Sequence, residues 1–111
     1  MAEPLQVALL KQGKETWNHW RQQQRTGTPD LSSSDLSAMD LRGMDLSFTN
    51  LNGANLARAD LRQADLRCAS LRSANCSAAD LRQACLDGAD LFQAIFARAN
   101  LQLSGKLYLR S

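Results

Sequence analysis

The sequence predicts an all-β solenoid, a chain wound into a four-sided coil of short extended segments behind a helical N-terminal cap. Three observations carry this prediction. Leucine recurs at every fifth residue, alanine stands two residues before it through most of the run, and outward motifs return at a spacing of twenty.

Residues 1–28 precede the repeats. The stretch "PLQVALLKQGKETWNHWRQQQ" reads as helical, with Leu5, Ala8 and Leu9 on one face and Trp17 and Trp20 one turn apart. Gly13 divides it into two helices. An open solenoid end exposes unpaired backbone and apolar side chains. This segment is therefore expected to cover the first coil, with Trp17 and Trp20 packing on its leucines and "RTGTPD" as the connection.

Residues 29–103 hold fifteen pentads without a slip. Their centres are Leu31, Leu36, Leu41, Leu46, Leu51, Leu56, Leu61, Leu66, Leu71, Cys76, Leu81, Leu86, Leu91, Phe96 and Leu101. Alanine stands two before the centre in every pentad from Ala54 to Ala99, and Asp or Asn directly before it in twelve of fifteen. On a helix, steps of five rotate by about 140° and smear the leucines around the axis. In an uninterrupted strand, an odd period sends successive leucines to opposite faces. Within one pentad, however, Ala and Leu are two apart and point to one side of an extended segment. A bend must then reset the parity. Each pentad is one side plus one corner, and the chain winds around an Ala/Leu interior.

The number of sides follows from the outward residues. "DLRGMDLSFTN" begins at Asp40, "DLRQADLRCAS" at Asp60 and "DLRQACLDGAD" at Asp80, so the longer period is four pentads. Asp and Asn before each centre are expected to hydrogen-bond nearby backbone at the corners. Ser34, Met39, Met44 and Thr49 take the alanine position in the early pentads and imply a wider or less regular first coil. The tail, residues 104–111, carries Leu107, Tyr108 and Leu109 and is too short to close another coil. Phe92, Ile95, Leu103 and Tyr108 are expected to leave an apolar patch at that end, open to end-to-end homodimerisation.

The A(D/N)LXX pattern over Pro29 to Leu103 resembles the pentapeptide-repeat family, and "LLKQGKETWNHWR" looks like the leader of its cyanobacterial members. The resemblance implies a right-handed quadrilateral β-helix. It also implies either a protein-interaction scaffold or, as in some members, a DNA-mimicking modulator of an enzyme such as gyrase.

Charge weighs against the mimic. Residues 29–104 hold nine Asp against seven Arg, so the acidic column is nearly neutralised. Asp40, Asp60 and Asp80 are expected to stack about 5 Å apart beside Arg42, Arg62 and Arg82. That surface is a candidate for interaction, but a convex wall has no cleft to exclude water. His19 is the sole histidine, and no catalytic relay or zinc site assembles around it. Cys76 is expected to be buried and inert, and Cys68 to be a surface thiol too far from Cys85 for a disulfide. No catalytic, cofactor or metal residues are assigned. Neither basic concentration nor long apolar runs point to nucleic acid or membrane. The N-terminus reads without a signal peptide, and three cysteines do not read as a disulfide framework. The expected protein is a cytoplasmic, non-enzymatic scaffold for an unidentified protein partner.

Overall fold

The computed structural model describes residues 2–24 and 27–103. Two helices lead the chain, α1 (Pro4–Lys11) and α2 (Lys14–Gln23), separated by a break at Gly13, whose φ of 110° suits glycine alone. Pro4 opens α1, where its missing N–H costs nothing.

From Asp30 to Asn100 the chain coils with a strict register of twenty: Asp30 bridges Asn50 in parallel, Asp35 bridges Asn55, and so on to Asp80 and Asn100. With one bridge per pentad, each coil has four sides. We number them by their centres. The first carries Leu31, Leu51, Leu71 and Leu91, and the second Leu36, Leu56, Cys76 and Phe96. The third carries Leu41, Leu61, Leu81 and Leu101, and the fourth Leu46, Leu66 and Leu86.

The pairing consists of isolated bridges, and no extended strand appears among the described residues. Each pentad spends its remaining residues on a turn. The N–H three residues after the centre donates to the centre's carbonyl, as from Ala59 to Leu56 at 3.0 Å. The residue two after the centre has positive φ, the signature of a type II turn. Glycine fills that position at Gly43, Gly53 and Gly88, but eleven described non-glycine residues, Arg58 and Arg98 among them, adopt it too. Each costs roughly 1–2 kcal/mol locally. The coil imposes the conformation through bonds on both flanks: Leu56 N–H reaches Asn75 and Arg58 N–H reaches Ser77 on the next coil, at 2.7 and 2.8 Å.

The larger residues of the first coil leave a measurable trace. Where Ser34, Met39, Met44 and Thr49 replace alanine, the turn bond lengthens to 3.3–3.4 Å, against 3.0 Å at Ala54, Ala59 and Ala64. The turns open while the register holds.

Twelve centres, Leu31 to Leu86, are buried together with Ala54, Ala59, Ala64, Ala69, Ala74, Ala79, Ala84 and Ala89. The last three centres depart from the expected core. Leu91 and Phe96 are half-buried and Leu101 is 45% exposed, because no described coil lies beneath them.

At the other end the helices close the core, with a different face than the expected one. Leu10 and Trp17 are completely buried, and Val7, Leu9 and Trp20 pack beside them. Leu5 and Ala8 face away from the core. The cause is an anchor at the helix start. Glu3 N–H donates to the Asp30 carbonyl at 2.9 Å, and Gln6 Oε1 accepts the Asp30 N–H at 2.6 Å, which turns the Val7–Leu10 stripe inward.

The cap also substitutes for a missing coil. A coil above would accept the N–H and donate to the C=O of each residue preceding a centre, as Asp60 does with Met39 and Leu41. Side chains of α2 take this role on the fourth side. Asn18 Oδ1 accepts the Asp45 N–H at 2.8 Å, and Trp17 Nε1–H donates to the Asp45 carbonyl at 2.8 Å. Arg21 donates to the carbonyls of Asp45 and Ser47, both at 2.9 Å. Asp30 on the first side and Asp45 on the fourth are thereby satisfied at both N–H and carbonyl. On the second and third, the N–H groups of Asp35 and Asp40 have no partner among the described residues.

Candidate functional site

The outward positions lie on four walls, and their geometry follows from the pentad. The residue before a centre and the residue after it are two apart and leave on the same side of the extended segment. An acidic residue in the first position therefore folds onto whatever stands in the second. Asp35 Oδ1 accepts the N–H and the hydroxyl of Ser37, at 3.1 and 2.6 Å. Asn55, Asn75 and Asn100 accept the N–H of Ala57, Ser77 and Gln102 in the same way.

On the third side this rule builds a ladder. Arg42, Arg62 and Arg82 each grip their own aspartate with two guanidinium bonds. Arg62 Nε–H donates to Asp60 Oδ1 at 2.9 Å and Arg62 Nη2–H to Asp60 Oδ2 at 2.7 Å. Arg42 holds Asp40 and Arg82 holds Asp80 alike. Longer contacts cross between coils, Arg42 to Asp60 at 3.7 Å and Arg62 to Asp80 at 3.8 Å. Beside the ladder, Gln63 Nε2–H donates to Gln83 Oε1 at 3.1 Å. The sequence places these residues in columns, and the structure brings Arg42, Arg62 and Arg82 together with Gln63, Gln83, Gln102 and Leu103 around a shallow depression of about 560 Å³.

The guanidinium bonds hold the carboxylates ionised. Hydrogen bonds from the Arg42 side chain, then from its N–H, pull Asp40 from 3.8 down to about 2. Arg62 and Arg82 lower Asp60 and Asp80 in the same direction. A carboxylate depressed in the folded state contributes stability above its unfolded value and loses it as pH falls through its folded value. The protein is expected to keep its urea midpoint from pH 7 to about 5 and to lose stability progressively between about 4 and 2. A midpoint unchanged at pH 2.5 would contradict the ladder. The effect is modest, since these pairs are solvent-exposed.

The remaining residues singled out from the sequence are dispersed. His19 is exposed on α2. Cys76 is buried, and that burial pushes its thiol up to about 12. Cys68 is exposed, Cys85 is half-buried, and all three cysteines are free. Cys68 Sγ stacks against Gly88, where a Cβ would approach it to 3.0 Å. Phe92 and Ile95 project into solvent, 58% and 50% exposed, while Leu103 packs against the core. Tyr108 lies outside the described residues. Among the described residues no group of three or more metal-ligating side chains converges, and no helix is long and apolar enough to cross a membrane.

Two sets of residues are not assigned to a site by the sequence. Asn18 and Arg21 act as backbone surrogates in the cap, a role that composition does not signal. Arg58 and Arg98 are exposed on the second side and make no ion pair among the described residues. A positional cue was present for these two: they stand two residues after a centre, out of reach of the acidic position.

A family model described as pentapeptide repeats matches eight copies over residues 30–67 and 74–104. No functionally curated protein matches the chain. Among solved structures, alr5209, a pentapeptide-repeat protein from Nostoc PCC 7120, is 32% identical over 77% of this chain and 74% of its own, with a TM-score of 0.48. HetL, a pentapeptide-repeat protein from Nostoc sp. strain PCC 7120 involved in heterocyst differentiation regulation, is 42% identical over 68% of this chain but only 37% of its own, at a TM-score of 0.40. Rfr23 from Cyanothece 51142 is 26% identical over 73% of this chain and 67% of its own, at 0.33. Eight matched copies spanning more than half the residues, on a coil of four five-residue sides, establish the affiliation: this chain belongs to the pentapeptide-repeat family.

Proposed function

We propose that the protein is a non-enzymatic cytoplasmic scaffold that presents flat, rigid faces to a protein partner. The observation that carries this reading is the unbroken run of parallel bridges from Asp30 to Asn100, which fixes every outward side chain in a column on a wall. Among the described residues the walls are shallow, which supports a binding surface over the enclosed, water-excluding site that catalysis uses. The three free cysteines fit a reducing compartment.

The bidentate Asp–Arg pairs favour a scaffold over a duplex mimic, because Asp40, Asp60 and Asp80, the stacked carboxylates, each carry their own counter-charge. A gyrase supercoiling assay at micromolar protein and low salt is expected to show neither inhibition nor protection. Affinity capture from the native cell is expected to retain a protein in stoichiometric amount. Inhibition of supercoiling, or retention of nucleic acid in place of protein, contradicts the reading.

The proposal extends to end-to-end pairing of two copies through the C-terminal coil, where Phe92 and Leu101 are exposed. Sedimentation is expected to give a species of twice 12.2 kDa, and a monomer at all concentrations would contradict it.

A further inference from the structure

The arginines of the coil divide by position. Arg42, Arg62, Arg67, Arg72 and Arg82, each directly after a centre, all reach a carboxylate. Arg58 and Arg98, two after a centre, reach none among the described residues. The cause is local. Both sit at the corner with φ of 59°, three residues after the position before the centre, not two. That residue is moreover Asn55 or Ile95 on this side, not aspartate. Asp35, at the top of the column, is engaged by Ser37.

The second side therefore combines three properties. Its two free guanidinium groups stand two coils apart, roughly 10 Å at the usual inter-strand spacing. Between them Ala57, Ser77, Ala78 and Ala97 are small and leave the wall flat. The Oδ1 atoms of Asn55 and Asn75 are taken by backbone N–H groups, so their amide NH2 groups remain as further donors. At the lower rim Ile95 is half exposed. Donors without matching acceptors, beside one apolar side chain, call for an acceptor-rich occupant with an apolar anchor.

We propose that the second side is the docking face for an acidic protein segment, whose carboxylates pair with Arg58 and Arg98 and whose apolar side chain covers Ile95. The proposal rests on the scaffold reading above. Planar guanidinium groups favour bidentate carboxylate pairing, and arginine with an apolar anchor is typical of interface centres. Nucleic acid fits less well. Two free cations neutralise few phosphates, and the repeat region carries nine Asp against seven Arg.

The test uses the full-length, ¹⁵N-labelled protein titrated with an eight-residue synthetic peptide of alternating Glu and Leu. Chemical-shift changes are expected at residues 55–58, 75–78 and 95–98, and weakening of at least tenfold in the Arg58→Glu/Arg98→Glu variant. Both arginines are exposed, so that variant is expected to melt like the wild type, and Arg62→Gln/Arg82→Gln is expected to bind within twofold. Changes centred on another side, unchanged affinity in the charge-reversed variant, no binding at millimolar peptide, or tighter binding of a DNA duplex at about 0.15 M salt each overturn the proposal. Parallel capture from native lysate separates the two levels of the reading. A partner lost only from Arg58→Glu/Arg98→Glu supports the face. A partner kept by both proteins refutes the face and leaves the scaffold standing, whereas a partner kept by neither refutes the scaffold itself.

Discussion

Replacing Trp17 by alanine is expected to lower the unfolding free energy by about 3–5 kcal/mol, the range for removing a large buried aromatic. Trp17 is completely buried over the first coil, so truncation opens a cavity above Leu46 and its neighbours. It also removes the indole N–H from the Asp45 carbonyl. Trp17→Phe separates the two contributions. The ring volume is largely kept and Arg21 still donates to the same carbonyl, so a loss of about 0.5–1.5 kcal/mol is expected. Urea unfolding followed by circular dichroism measures both variants. Deleting residues 1–24 removes the whole cap, and aggregation or loss of cooperative unfolding is the expected outcome. A Trp17→Ala protein as stable as the wild type would mean that the helix has a role other than closing the coil.

The second large effect lies in the middle of the stack. Leu61 is fully buried between Leu41 on the coil above and Leu81 on the coil below. Leu61→Ala is expected to cost about 2–5 kcal/mol, because neighbours held in a fixed register cannot collapse into the void. The same substitution at Leu101, in the same column but 45% exposed, is expected to cost under about 1 kcal/mol. Solenoid stability is a sum over coils and their interfaces, so the contrast between these positions reports directly on stacking. Equal costs at Leu61 and Leu101 would contradict the four-coil order.

Much of this architecture is legible in the residues themselves. Leucine at five and alanine two before it define the inward positions, and the return of "DLR" at Asp40, Asp60 and Asp80 defines four sides. The Asp–Arg columns follow, since two residues apart on an extended segment means one face. Legibility fails where partners come from elsewhere in the chain. Leu5, Ala8 and Leu9 look like a buried stripe on a helical projection. Bonds from Glu3 and Gln6 to Asp30 instead turn Val7 and Leu10 inward beside Leu9 and leave Leu5 and Ala8 outside. The short extended side expected in each pentad narrows to a single bridge, because the turn consumes the residues that a ladder would need. Leu91, Phe96 and Leu101 satisfy the pattern but lack a covering layer among the described residues. Arg58 and Arg98 are visible in the sequence as a pair forty apart, yet only the ion pairs made by the other arginines reveal them as free.

The division of labour within a pentad frames the functional reading. Inward residues and the acidic position are committed to the coil. The two positions after each centre vary from side to side, and they distinguish a neutral Asp–Arg ladder on the third side from a donor-rich wall on the second. Specificity in such a protein is a choice of side chains on an invariant lattice.

The central structural claim is that side chains of the N-terminal helices replace a missing coil on a stack of four-sided turns. Native-state amide hydrogen exchange tests it residue by residue. Protection is expected to repeat every five residues through the second and third coils, with the Leu51, Leu56, Leu61 and Leu66 amides exchanging only on global unfolding. On the upper edge, the Asp30 and Asp45 amides, held by Gln6 and Asn18, are expected to exchange slowly and those of Asp35 and Asp40 quickly. Four upper-edge amides exchanging at one rate, or protection without the five-residue period, would contradict the account.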